Sequence, residues 1–576
     1  LKIMVDSAIS NCPKDERKAY LAEIWQYFSF YEELDNWTAF VLLDTIYYLP
    51  LSLCGDKELA ALYNFAVDAY HRQPVQLHTA ALRILQKIAE QKQESPLFQK
   101  KLRRFIADMY DDEQPTMVYL KSILMELAGL DDATEQEMLC RNDIVSDIFL
   151  DNLKMATPWI TKSINIYLLL DQVDRGHTNQ LLHIAAHFSN LLKVSERVVV
   201  RHDAGAALVH IAHLLEPDQR NEIATELTKG LEVGEYAFSK YIPIYLGEFA
   251  LWLHPKELDE LIARLEVLLS SPSDNIVEVA LDTVGVLLQC YSDYQGRFPE
   301  EAVVYEAREH RLLGMLLKGL SSYRLAVRQE ALLVIGKYLF ASERMREQDK
   351  CRLFVLCYKK LLFLISENIE GELGFFYRAA ALNHIYRFIA LETLNNGGFT
   401  FENHDRLAFF PGTFDPFTLS HKGIVQEICN MGFEMMLAID EFSWSKNVQP
   451  RQIRRQIAIM SLAGDFDVHI FPDSIPINIA NPQDLKRLSE LFPDKKLYIV
   501  VGSDVILNAS SYKMPAEPYS IHHANHIVFS RSRYEEDPRE LRAGAFDCID
   551  GDIINLSLPT NLEDISSTRI RENIDN

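Results

Sequence analysis

The chain has 576 residues, 48% of them hydrophobic, 24% charged and 10% aromatic, the balance of a folded globular protein and not of a disordered, collagenous or disulfide-dense one. Acidic side chains outnumber basic ones by 82 to 58, a formal charge of −24. The whole-molecule field therefore repels nucleic acid and anionic membrane, and any anion site has to be local. Eight cysteines are scattered without a CxxC pair, which fits a reducing compartment and argues against a zinc module. No apolar run is long enough to span a bilayer, and Asp, Lys, Glu and Arg interrupt the first thirty residues where a signal peptide would be apolar, so a cytoplasmic location is expected. The first residue is Leu1 and not a methionine, which suggests a piece of a longer protein.

From about residue 14 to residue 394 the chain is a succession of segments with apolar residues at helical spacing, separated by short polar or proline-bearing turns. Helices are predicted at 77–89, 117–130, 198–215, 276–290 and 323–340, each apolar on one face. Three of them share a local pattern: Val200-Arg201-His202-Asp203-Ala204-Gly205-Ala206-Ala207-Leu208, Val277-Glu278-Val279-Ala280-Leu281, and Val327-Arg328-Gln329-Glu330-Ala331-Leu332. This pattern resembles the second helix of HEAT-type repeats. Its small Ala and Gly residues let a paired helix approach closely, and each two-helix unit completes its core only by stacking on its neighbours. The spacing is irregular against a repeat of about 40 residues, so the prediction is an irregular α-solenoid over 1–395, with a plain helical bundle as the alternative. A large repeat surface of this kind suits protein binding.

Asn395-Asn396-Gly397-Gly398 is a strong helix stop, and 396–404 reads as a linker. After it the pattern changes to short apolar runs alternating with amphipathic helices. Strands are predicted at 407–410, 435–439, 468–471, 497–501, 527–529 and 553–556, and helices at 421–430, 450–462 and 482–491. Such alternation, with continuously apolar strands, implies a parallel sheet covered on both faces, a Rossmann-like α/β domain over 405–576.

In such a sheet the ligand crevice lies at the carboxyl ends of the strands. The first strand is followed by Pro411-Gly412-Thr413-Phe414-Asp415-Pro416-Phe417-Thr418-Leu419-Ser420-His421. A glycine turn, a rigid bend and the start of a helix are what close approach to an anion requires. Near the end of the chain, Ile565-Ser566-Ser567-Thr568-Arg569-Ile570-Arg571 places hydroxyls and helix-start amides one turn before a guanidinium, a second plausible phosphate site. Between them lie Trp444-Ser445-Lys446 and the cations Arg451, Arg454 and Arg455. The groups Val501-Gly502-Ser503-Asp504 and Phe529-Ser530-Arg531 follow predicted strands.

The segment GTFDPFTLSH, together with ISSTRIR, resembles the signature motifs of the nucleotidyltransferase (cytidylyltransferase-like) superfamily, closest to the nicotinate and nicotinamide mononucleotide adenylyltransferases. Both motifs occur in the family's order. The resemblance covers the last third of the chain and implies AMP transfer from ATP to a mononucleotide with release of pyrophosphate, in NAD biosynthesis. It implies that His421 donates to the α-phosphate, that Thr418 replaces the family's first histidine, and that Ser566, Ser567, Thr568 and Arg571 hold the β- and γ-phosphates. Lys446 would hold the mononucleotide phosphate. Gly412, Thr413, Phe414, Gly502, Asp504 and Arg531 would line the nucleotide site, and Mg2+ would bridge the ATP phosphates without a protein cage of its own. Two departures stand out: Ser420 occupies a glycine position of the motif, and the chain stops soon after Arg571, without the further helix of family members. The alternatives are adenylyl or cytidylyl transfer to another phosphate acceptor, or an inactive nucleotide-sensing module on a HEAT-like scaffold.

Taken one by one, these residues have plainer readings. His421 alone would be an ordinary capping histidine, Ser566-Ser567-Thr568 an ordinary helix start, and Lys446, Arg451, Arg454 and Arg455 in part a solvated helix face. Of those cations only Lys446 and Arg455 are expected to bind phosphate. Trp444 could stack on a ligand ring or serve in a core. His522, His523 and His526 lack a cysteine or carboxylate at ligand spacing and are expected to be loop residues.

Overall fold

Helix follows helix up to Asn396, and from Arg406 strand alternates with helix. The computed structural model describes residues 16–557 apart from 18, 20, 22–24, 26–30, 48, 73–74, 93–94, 111–113, 131–145, 155–156, 234, 368–371, 402, 441–447 and 530–545. The chain divides into two compact units, Leu1–Leu261 and Ile262–Asn576.

In the first unit the predicted helices at 77–89, 117–130 and 198–215 are observed as Val75–Gln91, Pro115–Leu127 and Val198–Ile211, the last continued by a 3₁₀ turn, Ala212–Leu214. The small residues do what their size suggested. A Cβ on Gly205 would lie 2.3 Å from the Tyr245 ring on helix Ile242–Ala250, so only glycine permits that approach. On the same helix the pattern's charged pair is turned inward: Arg201 donates to the Phe238 carbonyl at 2.8 Å, and Asp203 accepts from Tyr167 Oη at 2.7 Å and from Ser163.

The second unit begins with more helices of the same kind. A Cβ on Gly285, in helix Asp274–Gln289, would lie 2.4 Å from Val334, and one on Gly319 would lie 2.8 Å from Leu281. Four helices carry the repeat to its end: α1 (Ala302–Leu320), α2 (Leu325–Val334), α3 (Glu347–Glu367) and α4 (Glu372–Asn396). The predicted helix 323–340 starts at Leu325 and widens into a π-helical turn at Ile335–Phe340. Gly336 in that turn packs directly on the backbone of Ala381 in α4.

Among the described residues the α/β part has six strands: β1 (Arg406–Gly412), β2 (Glu434–Ile439), β3 (Val468–Ile470), β4 (Lys496–Gly502), β5 (Asn525–Phe529) and β6 (Ile553–Leu556). All five pairings are parallel, in the order β3-β2-β1-β4-β5-β6, the doubly wound order of dinucleotide-binding sheets. The strand centres are continuously buried because helices cover both faces, which is why each strand reads as an unbroken apolar run. The longer helices are α5 (Leu419–Asn430), α6 (Arg451–Ser461) and α7 (Pro482–Leu491). One core, under α7, gathers Phe409, Leu488, Ile499, Val501, Tyr512 and Val528.

The last helical repeats pack on this α/β layer within the same unit. Gly314 of α1 meets Gly464 backbone to backbone, so a Cβ on Gly314 would sit 3.4 Å from the Gly464 Cα. Gln456 of α6 donates to the Ser321 carbonyl at 2.8 Å. Lys360 of α3 is buried and donates to the Leu462 carbonyl at 2.9 Å and to that of Val468. Burial lowers its pKa to about 8.

Two of the three histidines expected in loops are buried structural groups instead. His526 lies in β5 and is fully buried; its Nδ1 donates to the Ala524 carbonyl at 2.8 Å and its Nε2 accepts from Tyr512 Oη at 3.0 Å. His522 sits in a 3₁₀ turn between the carbonyls of Cys548 (2.7 Å) and Met514 (3.1 Å). The apolar strand pattern hid His526, because a neutral ring with both nitrogens satisfied is compatible with a core. Burial pushes its pKa down to about 4 from an ordinary 6.5. The unfolded chain therefore binds the extra proton first as pH falls. The stability this group contributes is complete above pH 6.5 and is lost between 6.5 and 4, about 3 kcal/mol in all. Thermal unfolding of the wild type should fall across that window, and His526→Gln should flatten that part of the curve; an unchanged slope would rule the histidine out.

Candidate functional site

The sheet opens where its order reverses. β1 stays paired with β2 as far as Gly412↔Ile439, and β4 with β5 as far as Gly502↔Phe529. Between β1 and β4, however, the pairing stops at Phe409↔Ile499. The carboxyl ends of the two central strands thus part before Gly412 and Gly502. This is the crevice that an open α/β sheet offers a ligand at its switch point.

A side chain lies close over each of these glycines. Phe414 takes a positive φ of 44°, which folds its ring back over Gly412, where a Cβ would meet ring carbons at 2.9 to 3.2 Å. At Gly502 a Cβ would lie 2.3 Å from Asp504 Oδ1. Thr413 and Phe414 therefore lie on the β1 side of the crevice and Asp504 on the β4 side.

His421 and Thr418 form one device. Thr418 is the N-cap of α5 and His421 occupies the third helical position, so the two close a reciprocal capping box. Thr418 N–H donates to His421 Nδ1 at 3.0 Å, Thr418 Oγ1 lies 2.9 Å from the same nitrogen, and His421 N–H donates to Thr418 Oγ1 at 3.4 Å. A backbone N–H can only donate, so Nδ1 is an acceptor and the neutral ring carries its proton on Nε2. The rings of Phe414 (5.2 Å between centroids) and Phe417 (5.6 Å) flank the imidazole. His421 is 8% exposed, held in place on three sides. Ser420, the departure from the motif, is buried in the same first turn.

Among the described residues, one cation that reaches this end of the sheet is Arg454, a residue expected on a solvated helix face. It is 1% exposed and donates to the carbonyls of Gln449 (2.9 Å), Asp440 (2.9 Å) and Thr413. Its place was recoverable from period: Arg454, Ala458 and Leu462 recur every fourth residue, and all three are buried. Arg455, which was expected to bind phosphate, points the other way. It pairs with Glu367 of α3 at 3.1 Å and with Asp473 at 2.8 Å, and donates to the Phe471 carbonyl. Arg451 pairs with the same Asp473 at 2.8 Å.

Lys446, Trp444, Arg531, Ser566, Ser567, Thr568 and Arg571 lie outside the described residues. Of the expected site residues, the structure brings Gly412, Thr413, Phe414, Thr418 and His421 together after β1, and Gly502 with Asp504 after the neighbouring β4. Among the described residues no three His, Cys, Asp or Glu converge as metal ligands, and no helix is long and apolar enough to cross a membrane.

Residues 409–573 match the family model of cytidylyltransferase-like proteins, so the α/β part of the chain is a cytidylyltransferase-like domain. Helical repeats precede it. No curated protein sequence matches the chain. Among solved structures, a Plasmodium falciparum nicotinic acid mononucleotide adenylyltransferase complexed with NaAD is similar at 20% identity over 29% of this chain and 83% of its own, with a TM-score of 0.25. For the helical part, a Kap121p mutant is similar at 14% identity over 67% of this chain and 40% of its own (TM-score 0.28). A microtubule polymerase with an array of tumor overexpressed gene (TOG) domains is similar at 10% identity over 61% and 87% (TM-score 0.23).

Proposed function

We propose that the α/β domain, residues 405–576 joined through 396–404 to the helical repeats, transfers AMP from ATP to nicotinate or nicotinamide mononucleotide in the cytoplasm, as a step of NAD biosynthesis. The observation that carries this reading is the fixed tautomer of His421 beside the parted ends of β1 and β4. With Nδ1 accepting from Thr418, the ring proton sits on Nε2, the kind of donor that a phosphate oxygen at that crevice would take. A phosphate oxygen of the mononucleotide attacks the α-phosphorus of ATP, the bond to the bridging oxygen of the β-phosphate breaks, and pyrophosphate leaves with that electron pair. The protein need only align two polyanions and meet the charge that builds on them.

In this reading Gly412, Thr413, Phe414, Gly502 and Asp504 shape the nucleotide site. Lys446, Ser566, Ser567, Thr568 and Arg571 keep the phosphate-binding roles that the resemblance implies, and Arg531 its place in the lining of the nucleotide site. Mg2+ would arrive on the nucleotide and neutralise phosphate charge. The helical repeats would bind a protein.

The test is pyrophosphate release by the purified chain with MgATP and either mononucleotide, run beside CTP and beside other phosphate acceptors. Release that requires one mononucleotide is expected. Release only with CTP or another acceptor would replace the substrate assignment. MgATP binding without release from any acceptor would convert the domain to a nucleotide sensor.

A further inference from the structure

We infer that Arg454 is the positioning residue of this site, the group that ties the loop root after β1, at the crevice, to the loop root after the neighbouring β2 and places a fixed positive charge beside them. This rests on the nucleotidyltransferase reading above. One guanidinium spans the carboxyl ends of two neighbouring strands: it donates to the carbonyl of Thr413, directly after β1, and to that of Asp440, directly after β2. Asp440 N–H in turn donates to the Gly412 carbonyl at 3.0 Å, so glycine turn, Arg454 and Asp440 form one closed network. A third bond, to the Gln449 carbonyl at 2.9 Å, ties the fork to the entry of its own helix. Three main-chain carbonyls on one planar fork is a geometry that lysine cannot reproduce.

The helix is itself held from outside the sheet. On α6, the neighbours Arg455 and Gln456 reach Glu367 of α3 and the Ser321 carbonyl after α1. Arg454 is thereby aimed at the crevice by contacts with the helical repeats. The charge matters as well as the bonds. In a chain of net charge −24, this buried guanidinium offsets the neighbouring carboxylates of Asp415 and Asp440, charge that would otherwise repel a polyanionic nucleotide. The nearby carboxylates of Asp415 and Asp440 oppose the effect of burial on its ionisation, and a guanidinium stays charged at neutral pH.

The test compares the wild-type chain with Arg454→Met and Arg454→Lys. Nucleotide sites are counted by calorimetric titration with MgATP, and turnover is expressed per titrated site. Arg454→Met is expected to lower kcat per site about 100-fold, as small misplacements of a reacting group do, and to weaken the MgATP Kd about tenfold through lost charge. Arg454→Lys, which keeps the charge, is expected to bind MgATP nearly as the wild type does while kcat falls about tenfold for want of the fork. A merely structural arginine would lower the melting temperature and the number of sites but leave kcat per site unchanged, and that result would overturn the inference. Should Arg454→Met fail to fold, Arg454→Lys decides alone, and wild-type kcat per site there overturns it. If the wild type binds MgATP but releases no pyrophosphate from any acceptor, the proposed chemistry fails separately. The tenfold loss of affinity in Arg454→Met then supports the positioning role and an unchanged Kd refutes it. A wild type that does not bind MgATP overturns both.

Discussion

His421→Ala is expected to lower pyrophosphate release about a thousandfold, the loss typical of a donor aimed at developing phosphate charge. From sequence alone such a change looks neutral for stability, since a residue at a sheet edge contributes little packing. The structure contradicts that. His421 is buried between the rings of Phe414 and Phe417, and its Nδ1 accepts the Thr418 N–H. Alanine empties that space and orphans a cap donor, so unfolding should become easier by about 1 to 2 kcal/mol. His421→Gln separates the two effects. Glutamine at the third helical position after a threonine cap restores the reciprocal box, so most of the stability should return while turnover stays lowered, because an amide N–H is a weaker and differently placed donor than an imidazole Nε2–H. Pyrophosphate release and thermal unfolding on the same preparations read out both. Normal turnover in either variant would remove His421 from the chemistry.

Much of this was legible in the chain. Six predicted strands correspond to β1 to β6, and helix 482–491 is α7, because an apolar run covered on both faces has no competing explanation once helices flank it. Gly412 and Phe414 were marked by the motif, though not the reason for the glycine: a ring folded back by a positive φ is a three-dimensional fact. Thr418 was read as a stand-in for a histidine, and its geometry adds a second role, capping α5 and setting the tautomer of His421. Arg454 and Arg455 were exchanged because adjacent residues on a helix point about 100° apart. The linear pattern says which face is buried but not which partner waits there. What sequence could not show at all is that α3, far upstream, supplies Glu367 and two lysines to the α/β layer. Long-range ion pairs carry no periodicity.

One of those lysines takes part in the contact whose loss should cost the most stability. Glu434, at the start of β2 and therefore at the end of the sheet opposite His421, is buried and accepts from Lys359 of α3, from Lys495 ahead of β4 and from His469 Nε2 in β3 at 3.1 Å. Burial alone would raise its pKa, but the hydrogen bonds from His469, Lys359 and Lys495 outweigh that and hold the carboxyl well below the ordinary 4.5. Because the folded pKa is the lower one, its contribution to stability is complete above pH 4.5 and is lost as pH falls below it. Removing one partner of a buried ion cluster leaves the others uncompensated, so Glu434→Ala should cost about 3 kcal/mol, a drop in melting temperature of about 5 °C. Glu434→Gln keeps the shape and part of the hydrogen bonding, so it should cost less and should flatten the acid limb of the stability curve. Lys359→Met paired with Glu434→Gln in a double-mutant cycle gives the coupling directly. Turnover per folded molecule should not change in any of these variants, because the cluster touches nothing at the crevice. A melting temperature within a degree of the wild type for Glu434→Ala would mean that α3 and the sheet are not joined through this carboxylate.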